Sequence, residues 1–394
     1  MDNGYKNQDL VTLMHTGDEY SKYCNAVVPP IFMNSLHAFD TIEEYNNVDV
    51  YADDSFVYAR DGNPTVHILE RKIAELEHGS RAVVFGSGMA AFSSAVMATC
   101  KAGSHIICLK NTYEPVTRMY RKILKPQFNM EITYVSGNDL QEIEDAVQEN
   151  TDLMVLESPG TFLFNVVDLK AIAEIAHRRG FKTYMDNSCL SPIFQKPLDL
   201  GIDIVMHTMS KFMGGHSDIV GGVLVSKDEE LMRKIMSPVR EYFGGILGPM
   251  EAWLVIRGLR TLDLRVRASM ETGAKVAAYL ENHPKVRKVN HTSLASHPQA
   301  EIIARQQTGH TGLLSLELDT DSMDDVMKFV NNLKLFAKGC SWGGHESLAI
   351  IPLWDEPDDI VELRGLDRKL VRLYCGLEGA DNLIADLEQA LDKL

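Results

Sequence analysis

The sequence predicts an α/β fold: a mostly parallel seven-stranded sheet in a large domain, a smaller C-terminal α/β domain and an extended N-terminal arm. Three observations predict it. Seven short, near-continuously apolar runs lie between residues 82 and 225. Stretches with helical spacing separate most of them. A long amphipathic stretch, roughly 250–283, then leads into a second, shorter set of strands and helices. Strands apolar on both faces belong to a sheet covered by helices on both sides, which is a mostly parallel one.

Residues 1–60 show little periodicity and contain Pro29, Pro30 and several Asn and Asp, so they read as an extended arm of the kind that packs on a neighbouring subunit. Pro64 suits a first helical position, Val66, Leu69, Ile73 and Leu76 follow at helical spacing, and Gly79 suits the stop. The strands are expected at 82–85, 105–109, 132–135, 153–157, 182–186, 203–207 and 221–225, with helices such as 88–101, 139–149 and 168–180 between them. The C-terminal set comprises a strand at 311–318, a helix near 322–333, a strand near 370–375 and a closing helix at 381–393. The boundaries are set at 1–60 for the arm, 61–255 for the large domain and 256–394 for the C-terminal domain. The sequence contains no internal repeat.

The chain has 394 residues, enough for a sizeable core. Its formal net charge of -16 disfavours a nucleic acid or an anionic membrane as partner. No apolar run approaches the ~18 residues that span a bilayer. The first ten residues are polar and acidic, unlike a secretory signal. The six cysteines, Cys24, Cys100, Cys108, Cys189, Cys340 and Cys375, form neither CxxC pairs nor a metal-ligand cluster with His. Reduced thiols in a cytoplasmic protein without a metal are the expectation.

Ligands of open α/β sheets collect outside the carboxyl ends of the strands. Three such ends are informative. Phe85 is followed by Gly86-Ser87-Gly88-Met89 and an Ala-rich helix, an arrangement that suits a turn or, through its free amides, an anion. Met185 is followed by Asp186-Asn187, and that carboxylate suits a helix cap, a metal ligand or a cofactor partner. His207 is followed by Thr208-Met209-Ser210-Lys211, then by Gly214-Gly215, so a lysine stands beside two hydroxyls and a glycine pair. Together they supply what pyridoxal 5′-phosphate (PLP) requires: a lysine for the aldehyde, a carboxylate for the pyridine nitrogen and a dianion site.

At these residues the sequence resembles the cystathionine-type family of PLP enzymes, the Cys/Met metabolism group of fold type I, from about residue 20 to the end. The segment HTMSKFMGGHSD, 207–218, resembles the family's Schiff-base motif. The resemblance implies that Lys211 carries PLP and that Thr208 and Ser210 bond its phosphate. By the same resemblance Asp186 in MDNSCLSP pairs with the pyridine nitrogen, and the amides of Gly88 and Met89 in GSGMAA, 86–91, face the phosphate. YARDGNPT, 58–65, implies that Tyr58 and Arg60 reach the phosphate of an adjacent subunit, hence a dimer at least, with a homotetramer usual in the family. Tyr113 in NTYEPVTRMY would stack on the ring. SWGGHES, 341–347, and RLYCGLE, 372–378, imply a substrate-carboxylate site with Ser341, Trp342 and Arg372, the last as its clamp.

The implied activity is carbon–sulfur bond cleavage on a small amino acid, with Lys211 and Tyr113 as the catalytic pair. TYEP, 112–115, SPGTF, 158–162, and SWGGHES resemble the bacterial cystathionine β-lyase versions, whereas γ-acting relatives commonly have YGGT at the first place. The leading expectation is therefore β-elimination on cystathionine or a related cysteine thioether, giving a thiol, pyruvate and ammonia. Cys340 departs from both patterns, Glu in γ-acting enzymes and Tyr in β-lyases. One alternative is a γ-acting enzyme of the family, whether methionine γ-lyase-like, cystathionine γ-lyase/synthase-like or O-acetylhomoserine sulfhydrylase-like. Another is a PLP-binding regulatory protein, against which the set Lys211, Asp186, Tyr113 and Arg372 weighs.

Overall fold

The computed structural model describes residues 6–52 and 54–394; the first five residues of the predicted arm and Asp53 lie outside the described residues. The large sheet has seven strands: β1 (Arg81–Phe85), β2 (His105–Leu109), β3 (Glu131–Val135), β4 (Thr151–Glu157), β5 (Lys182–Asp186), β6 (Ile204–Thr208) and β7 (Gly222–Ser226). Their order is β1-β7-β6-β5-β4-β2-β3. Pairing is parallel from β6 through β3, and β7 is antiparallel to both its neighbours. Each predicted run forms one of these strands. β2 and β7 are buried throughout, as a sheet layered by helices requires. One face packs on the helices Pro64–Leu76 and Leu169–Arg179, the other on the helix Gly88–Thr99.

The second sheet comprises β8 (Val286–Asn290), β9 (Leu313–Leu318), β10 (Ala337–Lys338), β11 (Leu348–Ile350) and β12 (Val371–Tyr374), in the order β10-β11-β12-β9-β8. Apart from the β10–β11 pair it is antiparallel. Helices Leu262–Glu281, Met323–Asn332 and Ala380–Leu391 cover one face of it.

Two local differences from the sequence expectation have physical causes. The amphipathic stretch 250–283 is two helices, Pro249–Leu259 and Leu262–Glu281. The Gly258 carbonyl accepts from Thr261 N and from Arg265 Nη2, at 3.1 and 2.6 Å, which draws it out of the helical ladder. The arm also contains a helix, Gln8–His15, capped by the Asn7 side chain on Leu10 N. Lys72, fully buried, donates to the carbonyls of Thr12 and Leu13 at 2.8 and 2.9 Å and fixes that helix on the large domain.

Candidate active site

A cavity of about 580 Å³ opens at the carboxyl ends of β4, β5 and β6, closed from the other side by the segment 340–342 and by Arg372 of β12. Gly88, Met89, Tyr113, Asp186, Thr208, Ser210, Lys211, Ser341, Trp342 and Arg372 all line it. Tyr58 and Arg60 do not; Tyr58 is exposed, and Arg60 stacks over its ring and lies 3.8 Å from Glu241.

Each wall follows from local structure. Ser87 caps the helix Gly88–Thr99, its Oγ accepting from Ala90 N at 3.0 Å. That leaves the first-turn amides of Gly88 and Met89 without helical partners, a dipole-assisted anion site. Gly222 makes room for it: a Cβ there would lie 2.5 Å from the Ser87 carbonyl oxygen and 2.8 Å from Gly88 N. Across from these amides, Thr208 and Ser210 both bond at the Gly221 carbonyl, and Ser210 Oγ accepts from Gly221 N at 3.1 Å. The Thr208 amide itself donates to Ser188 Oγ at 2.7 Å.

Lys211 lies in the turn that follows β6, and its Nζ sits 2.6 Å from Ser341 Oγ and 5.4 Å from the centroid of the Trp342 ring. Gly343, at φ +83°, allows this approach, because a Cβ there would stand 2.7 Å from Phe212 N and 3.0 Å from Lys211 Cα. Burial, then the neighbouring Arg372 charge, pushes the Lys211 amine down to about 8. Asp186 ends β5 and accepts from Ser188 N at 2.9 Å. Burial raises its carboxyl above the usual range, and the His207 and Lys211 charges counter that.

Arg372 donates through Nη2 to the carbonyls of Cys340 and Ser341 at 2.7 and 3.1 Å, while its buried Nε has no partner among the described residues. Burial pushes this guanidinium down to about 10. Tyr113, half exposed, is held by its backbone: its amide donates to Glu157 Oε2 at 2.7 Å.

Glu157 is a lining residue that motif reading passed over, and Ser188 stands within MDNSCLSP without a role assigned to it. Glu157 ends β4 directly opposite Asp186 in the β4–β5 register and also accepts from Thr161 Oγ1. Burial, then the Asp186 charge, pushes its carboxyl up to about 8. A charged residue ending an apolar strand was the available signal, but only strand register shows that two acids stand side by side.

The residues fit PLP in three respects. Free helix-end amides face two hydroxyls, as a phosphate requires. A buried carboxylate ends a strand with no cation in hydrogen-bond contact among the described residues. A lysine amine of lowered basicity stands at the opposite wall.

A family model described as Cys/Met metabolism PLP-dependent enzyme matches residues 11–392. Cystathionine beta-lyase MetC of Bacillus subtilis is 36% identical over 386 residues, 97% of this chain and 96% of its own length. L-methionine gamma-lyase of Fusobacterium nucleatum subsp. nucleatum is 34% identical over 388 residues, 97% of this chain and 98% of its own. Among solved structures, cystathionine gamma-lyase from Lactobacillus plantarum complexed with L-serine matches with a TM-score of 0.91 at 35% identity, covering 98% of each chain.

Proposed function

The chain belongs to the Cys/Met metabolism PLP-dependent enzymes, and from that premise we propose that it is a carbon–sulfur lyase that eliminates a thiol from Cβ of cystathionine or a related cysteine thioether. The position of Lys211 carries the reading. Its amine is desolvated to a basicity near neutrality and faces the same cavity as Asp186 and Arg372.

PLP bound here supplies an electron sink for a carbanion at the substrate Cα. Lys211 Nζ would hold the cofactor through its aldehyde and, as a free amine, would take the proton from the substrate Cα and deliver it to the departing sulfur. The products would be the thiol, pyruvate and ammonia, with one water consumed. Asp186 would partner the ring nitrogen and favour its cationic form. Thr208, Ser210 and the amides of Gly88 and Met89 would hold the phosphate. Tyr113 would pack on the ring and help to position the substrate. Arg372 clamps the substrate carboxylate, with Ser341 and Trp342 beside it.

The β-lyase assignment over the γ-acting one rests on TYEP, 112–115, SPGTF, 158–162, and SWGGHES, 341–347. The assay is incubation of the PLP-loaded enzyme with cystathionine, methionine, cysteine and O-acetylhomoserine in turn. Pyruvate from cystathionine is expected, and 2-oxobutyrate would replace this reading by the γ one.

A second copy of the chain is part of the proposal. Val27, Met33 and Ile42 of the arm are 72%, 70% and 69% exposed, and Tyr242 and Phe243 are 74% and 73% exposed. Apolar exposure on this scale suits a subunit interface, where Tyr58 and Arg60 reach a neighbour's phosphate. Light scattering giving a dimer or tetramer supports this; a monomer at micromolar concentration contradicts it.

A further inference from the structure

A second cavity, of about 530 Å³, lies between the loops that follow β2, β3 and β4 and the part of the small domain around β8. Its walls carry four cations, Lys110, Arg287, Lys288 and Arg364, against the single carboxylate of Glu281, in a chain whose net charge is -16. Some of these cations are already engaged. Arg287 pairs with Asp319 and Asp321, and Lys110 lies 3.9 Å from Glu142.

Arg364 is different. It ends the helix Asp358–Arg364, is 4% exposed, and makes no hydrogen bond or ion pair among the described residues; its Nη2 is buried without a partner. Glu157, Glu114 and Glu356 act on it only at a distance, and Glu114 and Glu356 are paired with Arg118. A buried guanidinium without a bonded anion is costly, and such groups ordinarily have a partner. The same cavity wall contains two acceptors that have no donor among the described residues, the buried Oδ1 atoms of Asn111 and Asn165. The backbones of these asparagines hold the rim of the active cavity: the Asn111 carbonyl accepts from Thr161 N, and the Asn165 carbonyl from Gly160 N, both at 2.9 Å.

We propose that this cavity binds a small carboxylate-bearing metabolite, its carboxylate on Arg364 and a hydroxyl or amino donor on the asparagine oxygens. Lys110 and Lys288 add attraction at longer range. The cavity is separate from the one that holds PLP, and the proposal does not depend on which bond the enzyme breaks.

Malate is the probe: it has two carboxylates and a hydroxyl, and without an amine it cannot displace Lys211 from the cofactor. Calorimetric titration of the PLP-loaded enzyme is expected to give saturable binding, weakened about tenfold or more by Arg364→Met and measurably by Lys288→Glu. Arg372→Ala is expected to leave it unchanged. Succinate, which lacks the hydroxyl, is expected to bind more weakly. Absence of malate binding, or binding that survives Arg364→Met, overturns the proposal. Loss of binding in Arg372→Ala also overturns it, by placing the anion in the active cavity. Succinate binding as tightly as malate removes the asparagine contacts from it. Lys288 is exposed, so its variant carries the test if Arg364→Met does not fold. Calorimetry does not read turnover, so failure here is distinct from failure of the lyase assignment.

Discussion

Replacing Arg372 by Lys isolates the clamp proposed for the substrate carboxylate. In the wild type, Nη2 is committed to the carbonyls of Cys340 and Ser341, while Nε is buried and has no partner among the described residues. A carboxylate arriving at the cavity therefore finds Nη1, on a guanidinium already held in place by its Nη2 bonds. A lysine ammonium, a single nitrogen, cannot hold those carbonyls and the carboxylate in this geometry and gives up one of these bonds. The loss is one charge-assisted hydrogen bond, about 1.5–3 kcal/mol, or roughly 10- to 150-fold in kcat/KM. The carboxylate does not react, so its binding is shared by ground and transition states, and the change should fall on KM with kcat within about threefold. Steady-state kinetics on cystathionine read both parameters. If kcat/KM for Arg372→Lys stays within about threefold of wild type, the clamp is elsewhere.

Three further outcomes follow from the same geometry. As a base, Lys211 works only unprotonated; with its amine near 8, kcat should fall about tenfold per pH unit below that value and level off above it, and a profile flat from pH 6 to 9 contradicts the role. Asp186→Asn removes the buried anion that partners the ring nitrogen, so PLP affinity by absorbance titration should drop on the order of 100-fold, and a change below about threefold sinks that pairing. Lys72 is buried with its amine pushed down to about 8, below its unfolded value of 10.5, so the unfolded chain binds more protons between those limits and stability rises with pH there. Lys72→Met should flatten the rise in melting temperature between pH 8 and 10.5; an unaltered slope refutes this.

The parts of the molecule legible in the sequence are those set by local pattern. Runs such as 105–109 and 221–225 read as buried strands because nothing polar interrupts them, and they form β2 and β7. Lys211 stood out because hydroxyls and glycines surround it, chemistry that a solvated surface lysine does not need. What escaped depends on register and on distant packing. Glu157 ended a strand like any polar terminator until β4 and β5 aligned it with Asp186. The break at Arg260–Thr261 arises from bonds to the Gly258 carbonyl made by Thr261 and Arg265, which helical spacing does not reveal. The short strands β10 and β11, of two and three residues, are too brief to carry a periodicity. Tyr58 and Arg60 were identified by motif alone, and their proposed destination is a different copy of the chain.

The central claim is a covalent one, and borohydride reduction tests it directly. Reduction of the PLP-loaded enzyme fixes the bond between the cofactor's aldehyde carbon and the lysine that bears it, and peptide mass spectrometry locates that lysine. We predict the pyridoxyl phosphate mass on the peptide containing Lys211, and its absence in Lys211→Ala. The same mass on another lysine, or on none, would contradict the account.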